Sequence, residues 1–490
     1  MSTSLSTLLH TFGLTANSGL DPSITGITAD SRQAGPGIIF AALPGTRVDG
    51  RNFIGTAVAQ GAAAVLAPTG TVWPQGVPPC PLVTCPNPRH MLALWATALA
   101  GPQPAHLVAV TGTNGKTSTT DFLRQLWTLQ GHKAAGIGTL GLTGAEGTGV
   151  SFPALTTPDP VALANGLAAL ENAGVHYAAL EASSHGLEQG RLDGLHLQAA
   201  GFTNLTRDHL DYHGTMEAYR AAKLGLFERL LPKGGIAVAN ADMDPATLDA
   251  LRTVTQSRNQ HLRLTGSNGT TLRLLACRPL PSGQELSVRC NGHTQTVMLP
   301  LPGRFQADNA LLAAALAVQD EATLPHVLDL LPALTGVRGR MERAALLPNG
   351  ASAYVDYAHT PDALGRLLSS LRPHAHGRLI VVFGAGGDRD KGKRPLMGEA
   401  ATNGADIAII TDDNPRSEDP AHIRAQVRAG APGALEIGDR RQAIAEALSM
   451  LGSEDVLVVA GKGHEQGQII GSTVLPFDDA AVIRTLAGQP

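Results

Sequence analysis

The run Gly112-Thr113-Asn114-Gly115-Lys116-Thr117-Ser118 has the residue types and spacing to hold phosphate. Its glycines let the backbone curl so that successive N–H groups point inward, and the helix that follows adds the positive end of its dipole. Lys116 can then reach the β- and γ-phosphates while Thr117 offers a hydroxyl to Mg2+. The general phosphate-loop pattern asks for glycine at position 110, where this chain has valine. A chance glycine turn before a helix is the plainer alternative. The apolar strand Val108–Val110 ahead of the run, the helical pattern from Thr119 to Leu129 and the Lys-Thr pair together favour a nucleotide site.

Two more clusters carry chemistry. Glu181 ends the apolar run Tyr177–Leu180 and opens Glu181-Ala182-Ser183-Ser184-His185, where a carboxylate can reach a metal held on phosphates; a helix cap or a surface charge is the alternative. Thr203-Asn204-Leu205-Thr206-Arg207-Asp208-His209-Leu210-Asp211-Tyr212-His213 packs two histidines and two aspartates behind another strand, a density that favours metal binding or proton transfer over a structural role. Farther on, Gly384–Arg394, Asp412–Arg416 and Gly461–Glu465 each follow an apolar run and are rich in glycine and charge.

The elements that must position these groups alternate as strand, polar loop and helix. This rhythm predicts an α/β protein of three domains: residues 1–100, residues 101–334 with a central P-loop ATPase-type parallel sheet, and residues 335–490 with a C-terminal Rossmann-like sheet. Strands are expected at Gly37–Leu43 and Ala63–Leu66, at Gly201–Thr203 and Ile236–Ala239, and at Arg378–Phe383, Asp406–Ile410 and Asp455–Val459. Ligands of doubly wound sheets collect outside the carboxyl ends of the strands, so the three charged loops of the last domain should converge on one crevice. Gln260–Leu301 alternates polar and apolar residues and reads as a hairpin insertion in the second domain.

The 490 residues are too many for a single core, and 43% apolar residues with few aromatics fit a soluble α/β protein. A net charge of −4, with no basic run, argues against nucleic-acid binding. No apolar segment is long enough for membrane insertion, and Met1–Leu14 has no Lys or Arg ahead of an apolar stretch, so a cytoplasmic location is expected; a monomer is the expected state, although nothing in the sequence fixes it. Cys80, Cys85, Cys277 and Cys290 lack Cys-x-x-Cys spacing and read as reduced thiols.

Gly-Thr-Asn-Gly-Lys-Thr after Val110, Glu-x-Ser-Ser-His at Glu181 and Thr-Asn-Leu-x-x-Asp-His-Leu-Asp-x-His at Thr203 resemble the Mur ligase family, which also counts folylpolyglutamate synthase as a relative. The likeness continues through Pro302–Asn309, Gly339–Glu342 and Asp356–Leu364 and covers nearly the whole chain, with Asp30-Ser31-Arg32 and Asp49-Gly50 similar to a uridine-nucleotide module. It implies an ATP-dependent amide ligase of peptidoglycan precursor synthesis, in cell-wall biogenesis. Thr156-Thr157-Pro158-Asp159, Gly386–Arg394, Asp413–Arg416 and Gly461–Glu465 point to the member that adds a diamino acid, meso-diaminopimelate first, to UDP-N-acetylmuramoyl-L-alanyl-D-glutamate.

The resemblance implies roles for particular residues. Gly112 to Ser118, Asn309 and Arg340 would bind ATP, with Lys116, His209 and Lys223 catalytic. One Mg2+ would sit on Thr117 and Glu181, and a second near His209 and a carbamylated Lys223. Without the resemblance Lys223, in Ala221-Ala222-Lys223, reads as an exposed helical lysine. Ala29, Ser31 and the Thr46-Arg47-Val48 loop would take the uridine end of the nucleotide substrate, and Thr156, Thr157, Ser183, Gln189 and Arg191 its muramoyl-peptide part. Arg389, Asp413, Asn414, Pro415, Arg416, Gly461 and Glu465 would take the diamino acid, Arg416 pointing to its distal carboxylate; an exposed Asp-Asn-Pro turn is the alternative. L-Lysine and L-ornithine stay open as acceptors, as does another ligase of the family that joins glutamates to folate or D-Ala-D-Ala to a tripeptide. A P-loop NTPase that uses hydrolysis as a switch is the reading of another class.

Overall fold

The computed structural model describes residues 2–45, 48–280 and 282–489. Thr46 and Arg47 of the expected uridine loop lie outside the described residues. The chain is α/β and falls into two compact units. One holds the residues up to Leu264 together with Ala315–Gln319, the other Thr265–Ala314 and the residues from Asp320 onward.

In the first unit, Gly26–Thr28, Ile38–Ala41, Ala64–Pro68 and Leu82–Cys85 form a four-stranded parallel sheet in sequence order. Helix Pro88–Ala100 packs on it through Leu92, Trp95, Ala96 and Leu99. A second sheet carries strands in the order Ile236–Asn240, Ala199–Phe202, His106–Thr111, Tyr177–Glu181, Ala134–Gly138 and Gly141–Thr143. The first five are parallel, so the loops after His106–Thr111, Tyr177–Glu181 and Ala199–Phe202 open at one edge. Register pairs Glu181 with Val110 and Phe202 with Thr111, which brings the expected phosphate loop and the segments after Glu181 and Phe202 side by side.

In the second unit the sheet order is Glu342–Leu346, Ser352–Asp356, Val456–Ala460, Leu379–Phe383, Ile407–Ile410 and Leu435–Glu436, parallel except for the first pair. Strand Leu379–Phe383 is apolar throughout because both faces are covered. Leu379, Val381 and Phe383 enter the core beneath helices Pro361–Leu371, Lys393–Gly404 and Pro420–Arg428, while Ile380 and Val382 enter the one beneath Arg440–Ser449 and Asp479–Leu486. The segment expected as a hairpin forms an antiparallel meander, Leu272–Leu280, Gly283–Cys290 and His293–Leu299, and groups with this second unit. The four cysteines are unpaired. Among the described residues no helix is long and apolar enough to cross a membrane.

Candidate functional site

Helix Lys116–Leu129 starts without a side-chain cap: the residue before it is Gly115, left-handed at φ 86°, so its first N–H groups point into the loop. Gly112, at φ 145°, lies so close to Thr203 Oγ1 that a Cβ there would collide with it. Thr203 and Asn204, one strand over, stitch the loop in place. Thr113 N donates to the Asn204 carbonyl (2.9 Å), Asn114 N to Asn204 Oδ1 (3.0 Å) and Thr203 Oγ1 to the Asn114 carbonyl (2.6 Å). Thr113 Oγ1 meets the Tyr219 hydroxyl at 3.1 Å. Thr203, Asn204 and Tyr219 were not among the expected site residues, although the first two stand inside a motif read as chemical.

Lys116 Nζ donates to the carbonyls of Gly112 and Thr113, both at 3.1 Å. Lys223 is not an exposed helical lysine. It lies in the last turn of helix Met216–Gly225, 1% exposed, with Nζ donating to the Gly112 carbonyl at 2.7 Å and 4.5 Å above the Tyr219 ring. Burial pushes its amine well below the ordinary lysine range; Lys116 adds to the fall and Asp208 opposes it. His209 stands exposed on the facing loop at φ 51°, 3.5 Å from Asp208, with its ring 6.1 Å from that of Tyr219. Tyr219 thus carries Lys223 on one contact and His209 on another.

Glu181 is no surface charge. It is 2% exposed, accepts from Thr139 N at 2.8 Å and from Thr139 Oγ1 at 3.2 Å, and has the Thr117 hydroxyl near enough to favour its charged form. Burial raises its pKa and Lys116 opposes the rise, so a buried carboxylate faces the loop with a hydroxyl beside it. That pair suits Mg2+, which takes one or two protein oxygens and fills its remaining positions with phosphate and water. Among the described residues no group of three or more His, Cys, Asp or Glu could hold a metal ion by itself.

The expected muramoyl-peptide residues form one network against this edge. Thr157 Oγ1 donates to the Glu181 carbonyl (2.8 Å), lies 3.0 Å from Ser183 Oγ and accepts from Ser183 N, while Thr156 Oγ1 lies 3.1 Å from Thr139 Oγ1. Arg191 donates to the Thr157 carbonyl (2.7 Å) and to Gln189 Oε1 (2.7 Å). Of the uridine-end residues, Ser31 is buried in a turn capped by Asp30, whereas Ala29 and Val48 are exposed. Gly45 N donates to the Val48 carbonyl (3.1 Å). A cavity of about 490 Å3 beside Gln189 is lined in part by Arg89, His90, Asp193 and Arg229.

The second unit brings together the three charged loops. Asn414 Nδ2 donates to Glu465 Oε2 (2.8 Å), Gly387 N to the Asn414 carbonyl (2.9 Å) and Arg416 to the Gly387 carbonyl (2.8 Å). A Cβ on Gly461 would lie 2.9 Å from Asp413 Oδ2, and one on Gly387 would strike the Pro415 carbonyl. Arg389 is exposed, and its charge reaches Lys393 and Tyr357, as does that of Asp413. The Asp-Asn-Pro segment is therefore no free turn: Asp413, Asn414 and Pro415 are buried. Asn309 and Arg340 also belong to this unit; Asn309 is buried and donates to Gln306 Oε1 (3.2 Å), and Arg340 stacks over the Tyr357 ring at 4.9 Å.

Three family models match the chain: "Mur ligase family, catalytic domain" over residues 23–85, "Mur ligase middle domain" over 110–317 and "Mur ligase, glutamate ligase domain" over 339–463. The chain is 55% identical over 465 residues to the UDP-N-acetylmuramoyl-L-alanyl-D-glutamate–2,6-diaminopimelate ligase of Caulobacter vibrioides, covering 94% of this chain and 95% of that one. To the ligase of the same name from Agrobacterium fabrum it is 52% identical, covering 95% and 94%. Among solved structures, a ligase of that name is similar with a TM-score of 0.76 at 34% identity, covering 100% and 99%. The MurF ligase of Thermotoga maritima, solved in complex with ADP, shares the fold with a TM-score of 0.59 at 20% identity, covering 89% and 94%.

Proposed function

Because the chain belongs to the Mur ligase family, we propose that it uses ATP to join a diamino acid, meso-diaminopimelate, to UDP-N-acetylmuramoyl-L-alanyl-D-glutamate through an amide bond. The observation that carries the choice of acceptor is the meeting of Asp413, Asn414, Arg416 and Glu465 on adjoining loops. Carboxylates suit an ammonium, and a guanidinium suits a distal carboxylate that L-lysine and L-ornithine lack.

A carboxylate is a poor acyl donor because it is anionic. In the proposed reaction its oxygen attacks the γ-phosphorus of ATP, ADP leaves, and the acyl phosphate forms. The acceptor amine then adds to the acyl carbon, and phosphate departs from the tetrahedral intermediate with loss of a proton from nitrogen. The first step drives one anion onto another, so cations and N–H donors matter more than covalent groups from the protein. Lys116 and the uncapped start of helix Lys116–Leu129 supply both at the phosphate loop. Thr117 and Glu181 would hold Mg2+, which when bound screens the phosphate charge. A carbamate on Lys223, beside His209, would turn a cation into an anionic ligand.

The work would be divided as uridine binding in residues 1–100, ATP binding in 101–334 and acceptor binding in 335–490, within a single protomer. Ser31 and Val48 then serve the uridine end, and Thr156, Thr157, Ser183, Gln189 and Arg191 the muramoyl-peptide part. The last five already form a polar network around the Glu181 strand end. The test is phosphate release from ATP with the UDP-linked dipeptide, comparing meso-diaminopimelate, L-lysine and L-ornithine. Turnover with meso-diaminopimelate well above the others supports the reading; equal turnover with all three removes the choice of acceptor.

A further inference from the structure

Lys462 is the one lysine of the three charged loops with a side chain shut off from solvent, at 0% exposure, and the loop sequence explains why it turns inward. Gly461 and Gly463 flank it at φ 115° and 54°, and a Cβ on Gly463 would lie 2.7 Å from the Tyr357 side chain. A buried ammonium must find partners. Its Nζ donates to Asn414 Oδ1 (2.9 Å) and Glu465 Oε2 (3.2 Å), and lies 3.9 Å from Asp413 Oδ1.

Those contacts fix Asn414. Its Oδ1 also accepts from Ile469 N at 2.9 Å, and its Nδ2 donates to Glu465 Oε2 at 2.8 Å. A flipped amide would set its NH2 against both the ammonium and the Ile469 N–H, so Nδ2 is bound to face Glu465. Lys462 also offsets one of the two carboxylate charges, Asp413 and Glu465, that surround it.

We propose that Lys462 is a positioning and specificity-determining residue of the acceptor pocket: by anchoring Asn414 and Glu465 and neutralising one carboxylate, it makes the pocket favour an acceptor with no net charge over one with a net positive charge. This rests on reading the three loops as the acceptor site. meso-Diaminopimelate carries two carboxylates and two ammonium groups, whereas L-lysine and L-ornithine carry one positive charge in excess. Without Lys462 the pocket is one charge more negative, and the balance moves toward the cationic acceptors.

The test compares kcat/KM for meso-diaminopimelate and L-lysine in the parent, Lys462→Met and Lys462→Arg. Lys462→Met should raise the L-lysine to meso-diaminopimelate ratio about tenfold while the KM for ATP stays within about twofold. Lys462→Arg, which keeps the charge, should hold the ratio near the parent's. If Lys462→Met does not fold, Glu465→Gln carries the test, because it removes one negative charge from the balance and should lower the ratio. An unchanged ratio in a folded Lys462→Met, or in Glu465→Gln where that variant stands in, overturns the inference alone. A parent that turns over neither acceptor overturns the reading of the site, and the inference with it.

Discussion

Lys223 and Lys116 meet at one atom: both ammonium groups donate to the Gly112 carbonyl, at 2.7 and 3.1 Å. Two cations on one acceptor repel, and burial has already driven Lys223 toward its neutral form. A neutral amine is the form that reacts with CO2, and the product is an anion that Lys116 attracts. We expect removal of CO2 to lower turnover and bicarbonate to restore it. Lys223→Ala should lose turnover by about a hundredfold or more, with partial rescue by short carboxylic acids. Phosphate release reads all three, and no response to bicarbonate or to the acids removes the carbamate.

Lys116 is expected to act on the phosphoryl group in flight rather than on folding. Lys116→Ala should cut ADP formation by about a thousandfold with every substrate present and leave the thermal midpoint within a few degrees. Near-normal turnover would count against the phosphate-loop role.

Much of this architecture was legible in the sequence, and the exceptions have a common cause. Strands such as Leu379–Phe383 and Val456–Ala460 announce themselves as apolar runs because both their faces are buried. The glycine turn ahead of helix Lys116–Leu129 is local, so its residues announce it without a distant partner. Ala134–Gly138 carries no strand signal, because Ala-Ala-Gly-Ile-Gly has neither alternation nor β-branched bulk, and its pairing with Tyr177–Glu181 makes it a strand. The inward turn of Lys223 depends on a partner 111 residues away, and that of Lys462 on one 48 residues away. Sequence spacing within a helix or loop carries no trace of either contact.

Arg416 should matter to one substrate only. Its guanidinium donates to the Gly387 carbonyl, which aims it from a backbone held at φ 53°. A charge-assisted hydrogen bond to a carboxylate contributes about 1.5–3 kcal/mol, so Arg416→Ala should raise KM for meso-diaminopimelate by roughly ten- to a hundredfold and leave that for ATP nearly unchanged. Equal effects on both would make Arg416 a structural residue.

Acid should loosen the second unit at a definite place. The buried Arg394 guanidinium, hydrogen bonded to Glu418 at 2.8 and 3.0 Å, is the main cause holding that carboxyl down to about 2, helped by Asp388 N. A carboxyl whose folded pKa lies below its unfolded value of 4.5 adds stability above that value and loses it as pH falls toward about 2. Glu418→Gln should therefore be less stable than the parent at pH 7, with the gap closing between pH 4.5 and about 2 in denaturant titrations. A gap that is the same at both ends would exclude this pair as an acid-sensitive contact.

The most direct measurement mixes the purified protein with ATP, Mg2+, UDP-N-acetylmuramoyl-L-alanyl-D-glutamate and meso-diaminopimelate, and follows phosphate and the UDP-linked product by mass. One phosphate released for each tripeptide formed, and none without both the dipeptide and the acceptor, is the expected result. Phosphate released at the same rate without acceptor, with no new amide bond, would contradict ligation and leave a nucleotide hydrolase in its place.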